Sequence, residues 1–261
     1  MSMKNMVRII FLVSVVAMMN SSCTEKIDLK LKSSTPQITV EGRISDQSGP
    51  YFVVITKSRL YTQDNSFTGL SSAFVVISDD EGNTDTLKEI RAGLYQTNSI
   101  QGVVGRTYKL SLTVEGTTYT SSCKMPPPVD IDSIVFSTEK DFKGNIKHKA
   151  EMLVRDPAGV ANAYRIFSVM DGYYSVEHDR LWDGKKRNFE INHSDFGSGD
   201  TLQMELWSVD ERIYNFFSEF NQNQNNFGTP AAPANPDPLF TPAALGFFSA
   251  HSIKSKTVIV P

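Results

Sequence analysis

Between Tyr108 and Val114 apolar and polar side chains alternate without a break, with Tyr108, Leu110, Leu112 and Val114 on one side and Lys109, Ser111 and Thr113 on the other. A period of two fits an extended strand with one buried face and not a helix, whose faces repeat every ~3.6 residues. The pattern recurs along the chain. Ile38, Val40 and Ile44 oppose Thr39, Glu41 and Arg43; Tyr51, Val53 and Ile55 repeat it after the Ser48-Gly49-Pro50 turn. Phe74 to Ile77 is a short apolar run that ends at Asp79-Asp80-Glu81-Gly82-Asn83, and Glu115-Gly116 turns the Tyr108 strand into the one bearing Cys123. About seven short strands with turn signals at this spacing predict an immunoglobulin-like β-sandwich over residues 37–125.

Pro126-Pro127-Pro128 cannot pair in a sheet and stiffens the chain, which marks a domain boundary. Beyond it, Ile131 to Phe136, Ile146 to Val154, Tyr164 to Met170 and Leu202 to Leu206 read as strands, with Asp156-Pro157-Ala158-Gly159 as a turn. A helix is predicted near 209–222, because Ile213, Phe216, Phe217 and Phe220 fall at helical spacing and Ser208 with Glu211 reads as a capping box. Asn221 to Pro242, rich in Asn, Gln, Ala and Pro, reads as an irregular segment that wraps the surface or forms a binding loop. Two closing strands, Leu245 to Ser249 and Thr257 to Val260, complete a second β-rich domain over 129–261. The fold class expected is therefore mostly β: two sandwich-like domains in tandem, the second carrying one amphipathic helix.

The N-terminus has the order of a secretory signal. Lys4 and Arg8 form a positive region, Ile9 to Met19 an apolar one, and Asn20-Ser21-Ser22-Cys23 a small-residue cleavage site ending in cysteine. Residues 1–22 thus read as a lipoprotein signal peptide, Cys23 as the lipid attachment point and 23–36 as a polar tether. The apolar run is too short to span a bilayer, which needs roughly 20 residues. Removing 22 of the 261 residues leaves 239, with 24 basic against 29 acidic side chains and a net charge of −5. A chain of that sign lacks the basic face that nucleic-acid binding requires. With lipid on Cys23, Cys123 has no partner in the chain, and its strand parity beside Tyr119 and Met125 reads as a buried, inert thiol.

Several segments resemble a known family. They are Val40-Glu41-Gly42-Arg43-Ile44-Ser45 followed by Gly49-Pro50-Tyr51, Ala73-Phe74-Val75-Val76-Ile77 before an acidic turn, Gly93-Leu94-Tyr95 leading to Gly105-Arg106-Thr107-Tyr108, and the C-terminal Leu245-Gly246-Phe247-Phe248-Ser249-Ala250. In order and spacing they resemble Bacteroidetes lipoproteins of unknown function whose genes commonly lie beside TonB-dependent outer-membrane receptors. The resemblance implies an outer-membrane lipoprotein with an immunoglobulin-like first domain, accessory to nutrient uptake, with such a receptor as its partner. It covers nearly the whole mature chain, and Cys23 matches the lipid-bearing cysteine. Asn20 departs from it, standing where these signals carry an aliphatic residue. No catalytic residue and no cofactor are implied.

Chemistry-bearing motifs are scarce. His148, His178, His193 and His251 share no metal-like spacing, and HExxH, CxxC, GxSxG and phosphate-binding glycine loops do not occur. Asp79, Asp80, Glu81 and Asp85 are the densest acidic group, read either as a hairpin turn or as oxygen ligands for calcium. The aromatic residues give the ligand or partner contact candidates: Trp182, Trp207, Tyr173 and Tyr174, which stack on the sugar rings of a glycan or anchor a protein or peptide interface or, for Trp207, lie buried beneath the helix. The function expected is a non-catalytic, lipid-anchored binding or accessory protein, with a surface glycan or small-ligand module as the alternative.

Overall fold

The computed structural model describes residues 35–59, 68–140, 143–144, 146–170, 172, 174–225 and 236–261. Cys23, Tyr173, the signal peptide, most of the tether, and residues 226–235 of the expected irregular segment or binding loop lie outside the described residues.

The first eight strands are β1 (Ile38–Ser45), β2 (Phe52–Lys57), β3 (Phe74–Asp79), β4 (Thr84–Thr86), β5 (Lys88–Arg91), β6 (Leu94–Gln96), β7 (Thr107–Val114) and β8 (Thr117–Lys124). After the prolines come β9 (Ile131–Lys140), β10 (Ile146–Arg155), β11 (Ala163–Ser168), β12 (Tyr174–His178), β13 (Lys186–Phe196) and β14 (Thr201–Val209). A single helix, α1 (Glu211–Asn225), and a last strand, β15 (Leu245–Ile259), follow among the described residues. The mostly β architecture with one amphipathic helix is as expected. Strand β13 was not expected, since its basic start and the polar residues after Ile191 blur the alternation, yet Phe189 and Ile191 point into a core.

Among the described residues three sheets form: an eight-stranded one ordered β12-β11-β14-β15-β1-β2-β6-β5, a four-stranded one, β4-β3-β7-β8, and a three-stranded one, β13-β10-β9. Both smaller sheets pack on the same face of the large one. Val40, Ile44, Val53 and Ile55 meet Val75, Ile77, Leu110 and Leu112 in the first sandwich. Ile166, Met204 and Leu206 meet Ile134, Met152 and Phe189 in the second. These apolar residues leave water by period-two alternation, each worth roughly 1.5–3 kcal/mol of transfer free energy.

The two expected closing strands are one. Strand β15 runs unbroken for 15 residues. Its first half pairs in parallel with β1, from Thr39 opposite Leu245 to Ser45 opposite His251, and its second half pairs antiparallel with β14, from Ser208 opposite Ser252 to Thr201 opposite Ile259. The polar stretch at Lys254-Ser255-Lys256 reads as a break in sequence, but sheet pairing carries the strand through it. The last strand therefore belongs to both sandwiches.

The helix covers the opposite face of the large sheet. Val209 still belongs to β14, so the N-cap is Asp210 and not Ser208: Asp210 Oδ1 accepts the N–H of Arg212 at 2.9 Å, and its carbonyl accepts the N–H groups of Ile213 and Tyr214. Strand pairing holds Ser208 in the sheet, and its hydroxyl is buried without a partner. Ile213 and Phe217 make the buried stripe of α1, with Phe216 beside them. Among the described residues no helix is long and apolar enough to cross a membrane.

Candidate functional site

On the helix-bearing face, strand parity lines up Thr39, Glu41 and Arg43 of β1, Phe247 of β15, Trp207 of β14 and Arg165 of β11. Helix α1 covers only part of this row. Between the helix and β1 a cleft of about 580 Å³ remains open. Its floor is β1 and the start of β15, one wall is Phe216, Phe217 and Phe220 of α1, and the other is the segment from Pro236 to Ala244. That segment is held at two points: Asp237 N–H donates to Glu219 Oε2 on the helix at 2.9 Å, and Thr241 exchanges two 2.9 Å backbone hydrogen bonds with Thr120 at the edge of β8. The size and the mainly apolar lining with a few polar groups are those of a small-molecule site.

Arg165 is the unusual group in the cleft. It is only 9% exposed, and its Nε is buried with no hydrogen-bond partner. Four rings surround the guanidinium carbon: Phe217 at 4.2 Å, Tyr174 at 4.3 Å, Trp207 at 5.1 Å and Phe167 at 6.0 Å. The quadrupoles of these rings attract a cation. Burial nonetheless lowers its pKa to about 10, and the nearby charge of Arg43 acts in the same direction. Tyr174 is fixed in turn by donating its hydroxyl to Asn221 Oδ1 of α1 at 2.9 Å.

Of the sequence candidates among the described residues, Trp182, Trp207 and Tyr174, only Tyr174 lines this cleft. Trp207 lies on the strand side that parity assigned it, but it is 6% exposed. The imidazole of His251 covers one of its faces, and its Nε1 donates to Glu205 Oε2 at 2.7 Å. Trp182 is 7% exposed, stacked on Tyr164 and edge-on to Phe189, with its Nε1 donating to the carbonyl of His178. Neither indole has a free face for a ligand, so both are corrected from contact residues to core residues. The physical reason is cover: α1 closes the face that Trp207 occupies, and the turn at Asp179–Leu181 folds Trp182 into the second sandwich.

The acidic group at Asp79 to Asp85 does not converge on one point. Asp79 accepts the N–H groups of Glu81 and Asn83 and pairs with Arg106 at 2.7 Å, which clamps the β3–β4 turn. Asp85 points inward and accepts the N–H groups of Asn98, Ser99 and Ile100. Burial alone would raise both pKa values, but these donors outweigh it and hold both carboxyls below the ordinary carboxylate value. Three other carboxylates, Asp156, Asp179 and Asp183, do approach within 4.8 Å of one another. They serve as loop clamps: Asp156 accepts from the Tyr164 hydroxyl and Gly184 N–H, Asp179 from Asn162 N–H, and Asp183 from Gly159 N–H.

Cys123 is 3% exposed, and burial pushes its thiol up to about 12, as an inert core residue requires. His251 is buried against Ser249 Oγ at 3.0 Å, and burial first, then the charges of Arg43 and Arg165, lowers its pKa to about 3. The His193 side chain lies outside the described residues. Sequence reasoning missed Arg165 because an arginine alternating with Tyr164 and Ile166 looks like a solvent-facing strand residue. Only its shared parity with Phe167 and Trp207, taken together with the aromatic stripe of the helix, carries a signal that this face is covered.

The family described as Domain of unknown function (DUF4249) matches residues 24–257. None of the curated proteins matches the chain. Among solved structures, the two fibronectin type-III domain segment from chicken tenascin aligns at 13% identity over 87% of this chain and 100% of that chain, with a TM-score of 0.23. The sandwich architecture rests on the sheets themselves.

Proposed function

We propose, from the premise that the chain belongs to the family described as Domain of unknown function (DUF4249), that it is a non-catalytic binding protein held at the outer membrane by lipid on Cys23. Its cleft between α1 and β1 receives a small ligand. The observation that carries this reading is the cleft itself: about 580 Å³, walled by three phenylalanines and containing one buried cation. Apolar walls give affinity, and a single sunken charge gives orientation. A flat aromatic platform for sugars finds no support in Trp182 or Trp207, whose rings are packed on both sides by protein. An accessory role beside a TonB-dependent receptor in nutrient uptake is supported by the resemblance of the sequence segments to lipoproteins encoded next to such receptors.

The anchor is tested by mass spectrometry of the protein from its native envelope: a diacylated or triacylated N-terminal Cys23 is expected, and an intact, unacylated Met1 overturns it. The cleft is tested by a thermal-shift screen of small acids, alcohols, sugars and peptides against the wild type and Ala243→Trp, which places an indole at the mouth. Compounds that stabilise the wild type and not the variant are expected. Equal stabilisation of both places the ligand elsewhere. Gentle solubilisation and copurification test the partner, with a β-barrel receptor as the expected companion.

A further inference from the structure

We infer that the cleft is a carboxylate receptor, in which Arg165 takes the anionic head of an otherwise apolar ligand whose body lies along Phe216, Phe217 and Phe220. This rests on the reading of the cleft as a ligand site and adds the chemistry of what enters it.

A buried guanidinium is ordinarily paired, because removing an isolated charge from water costs far more than a neutral group. Arg165 has no ion pair and no hydrogen bond among the described residues, although it is 91% buried and faces the cleft. The surrounding rings attract the cation without accepting hydrogen bonds in the manner of an oxygen, and the Nε–H is buried with no partner. A fork of parallel donors in one plane is the geometry that a carboxylate accepts in bidentate fashion. No carboxylate among the described residues answers it. Glu41 and Asp237 also line the cleft, but both are exposed, so water screens them. The charged group that does act on Arg165 is another cation, Arg43, which adds positive potential on the same side. A polyanion such as a phosphate would call for several buried donors; one sunken cation with an aromatic wall beside it fits a singly charged head and an apolar body.

The same head group occurs on free aliphatic or aromatic acids and on the C-terminus of a peptide, and the probes separate the two. Lipidated full-length protein in nanodiscs is titrated calorimetrically with 4-phenylbutyrate, 4-phenylbutan-1-ol, N-acetylphenylalanine and N-acetylphenylalaninamide, with empty nanodiscs as blank. Each acid is expected to bind at least ten-fold more tightly than its neutral counterpart. A stronger N-acetylphenylalanine signal assigns the site to peptide C-termini, and a stronger phenylbutyrate signal to free acids. Arg165→Met is expected to lose the preference for acids, to keep the binding of the alcohol, and to melt no lower than the wild type without ligand. Arg165→Lys keeps the preference at reduced strength. Neutral and acidic probes binding the wild type equally would overturn the carboxylate assignment while leaving the cleft as a site, and this comparison needs no variant to fold. No binding by any of the four overturns both.

Discussion

Trp207 lies flat on the imidazole of His251, with ring centroids 4.2 Å apart and 9° between the planes. The stack joins β14 to β15 at the point where β15 passes from one sandwich to the other, and it sits directly beside the guanidinium of Arg165. A neutral imidazole suits that place, because a second buried cation would repel both Arg165 and Arg43.

Acid should therefore weaken the fold through His251. Its ordinary value of 6.5 applies to the unfolded chain and about 3 to the folded one, so between these limits the unfolded state binds a proton that the native state refuses. Stability is complete above pH 6.5 and falls as pH drops through that window, with a limiting slope of ~1.4 kcal/mol per pH unit. Asp79 and Asp85, whose folded values are lowered, add to the loss only below about pH 4. Urea midpoints between pH 7.5 and 4.5 read the slope, and His251→Phe is expected to flatten it. A wild-type midpoint that stays constant over this range contradicts the assignment.

Trp207→Ala should unfold the protein more than it impairs any ligand. Truncating a buried indole of this size costs roughly 3–5 kcal/mol in a packed core, and here it also strips one face from His251 and one ring from Arg165. Chemical denaturation measures the loss. A cost below ~1 kcal/mol would mean that the indole is not the core residue that its 6% exposure indicates.

Gly246→Ala tests the seam between the halves. Gly246 has φ +93°, a backbone conformation that side chains disfavour, and an added Cβ would lie 2.0 Å from the carbonyl oxygen of Val40. The register of β15 on β1 pairs these two residues, so the methyl group forces the parallel ladder apart. The expected outcome is a destabilisation of at least ~2–4 kcal/mol and faster amide exchange in β1, read by hydrogen exchange.

Asp85→Ala removes the acceptor for three backbone N–H groups, those of Asn98, Ser99 and Ile100, in a part-buried loop. Each unsatisfied buried donor costs ~1–3 kcal/mol, so a loss of several kcal/mol is expected, partly relieved where water reaches the loop. Asp85→Asn keeps an acceptor oxygen and should fall between. If calcium were held there, addition of chelator would mimic the alanine variant; a turn role predicts no response to chelator.

Much of the first sandwich was legible from alternation. Every inward residue of the Tyr108–Val114 strand is buried, and the Ile38, Val40, Ile44 face is the one that meets the core. The helix was legible because Ile213 and Phe217 repeat at a period no strand can use, although its cap shifted from Ser208 to Asp210 once pairing with β15 extended β14. Strand β13 and the continuity of β15 were hidden, since both contain polar stretches that sheet hydrogen bonds override. The cleft was hidden for a different reason: its lining comes from β1, β11, β12, α1, the chain before β15 and the first residues of β15, and runs from Gln37 to Phe247, 210 positions apart.

Local periodicity by itself determined the regular strands, such as those with Ile38, Val40 and Ile44 or Tyr108, Leu110, Leu112 and Val114 on the inward side, and the helical stripe of Ile213 and Phe217, because those choices depend on neighbours two to four positions away. The N-terminal order of charge, apolar run and cysteine likewise needs no fold to be recognised. What covers each sheet face was decided only by tertiary structure, since parity assigns Arg165 and Trp207 to a side but not to a partner. The arrival of α1 over that side is what turned an arginine with the pattern of a surface residue into a buried, unpaired cation, and an indole with the pattern of a contact residue into core.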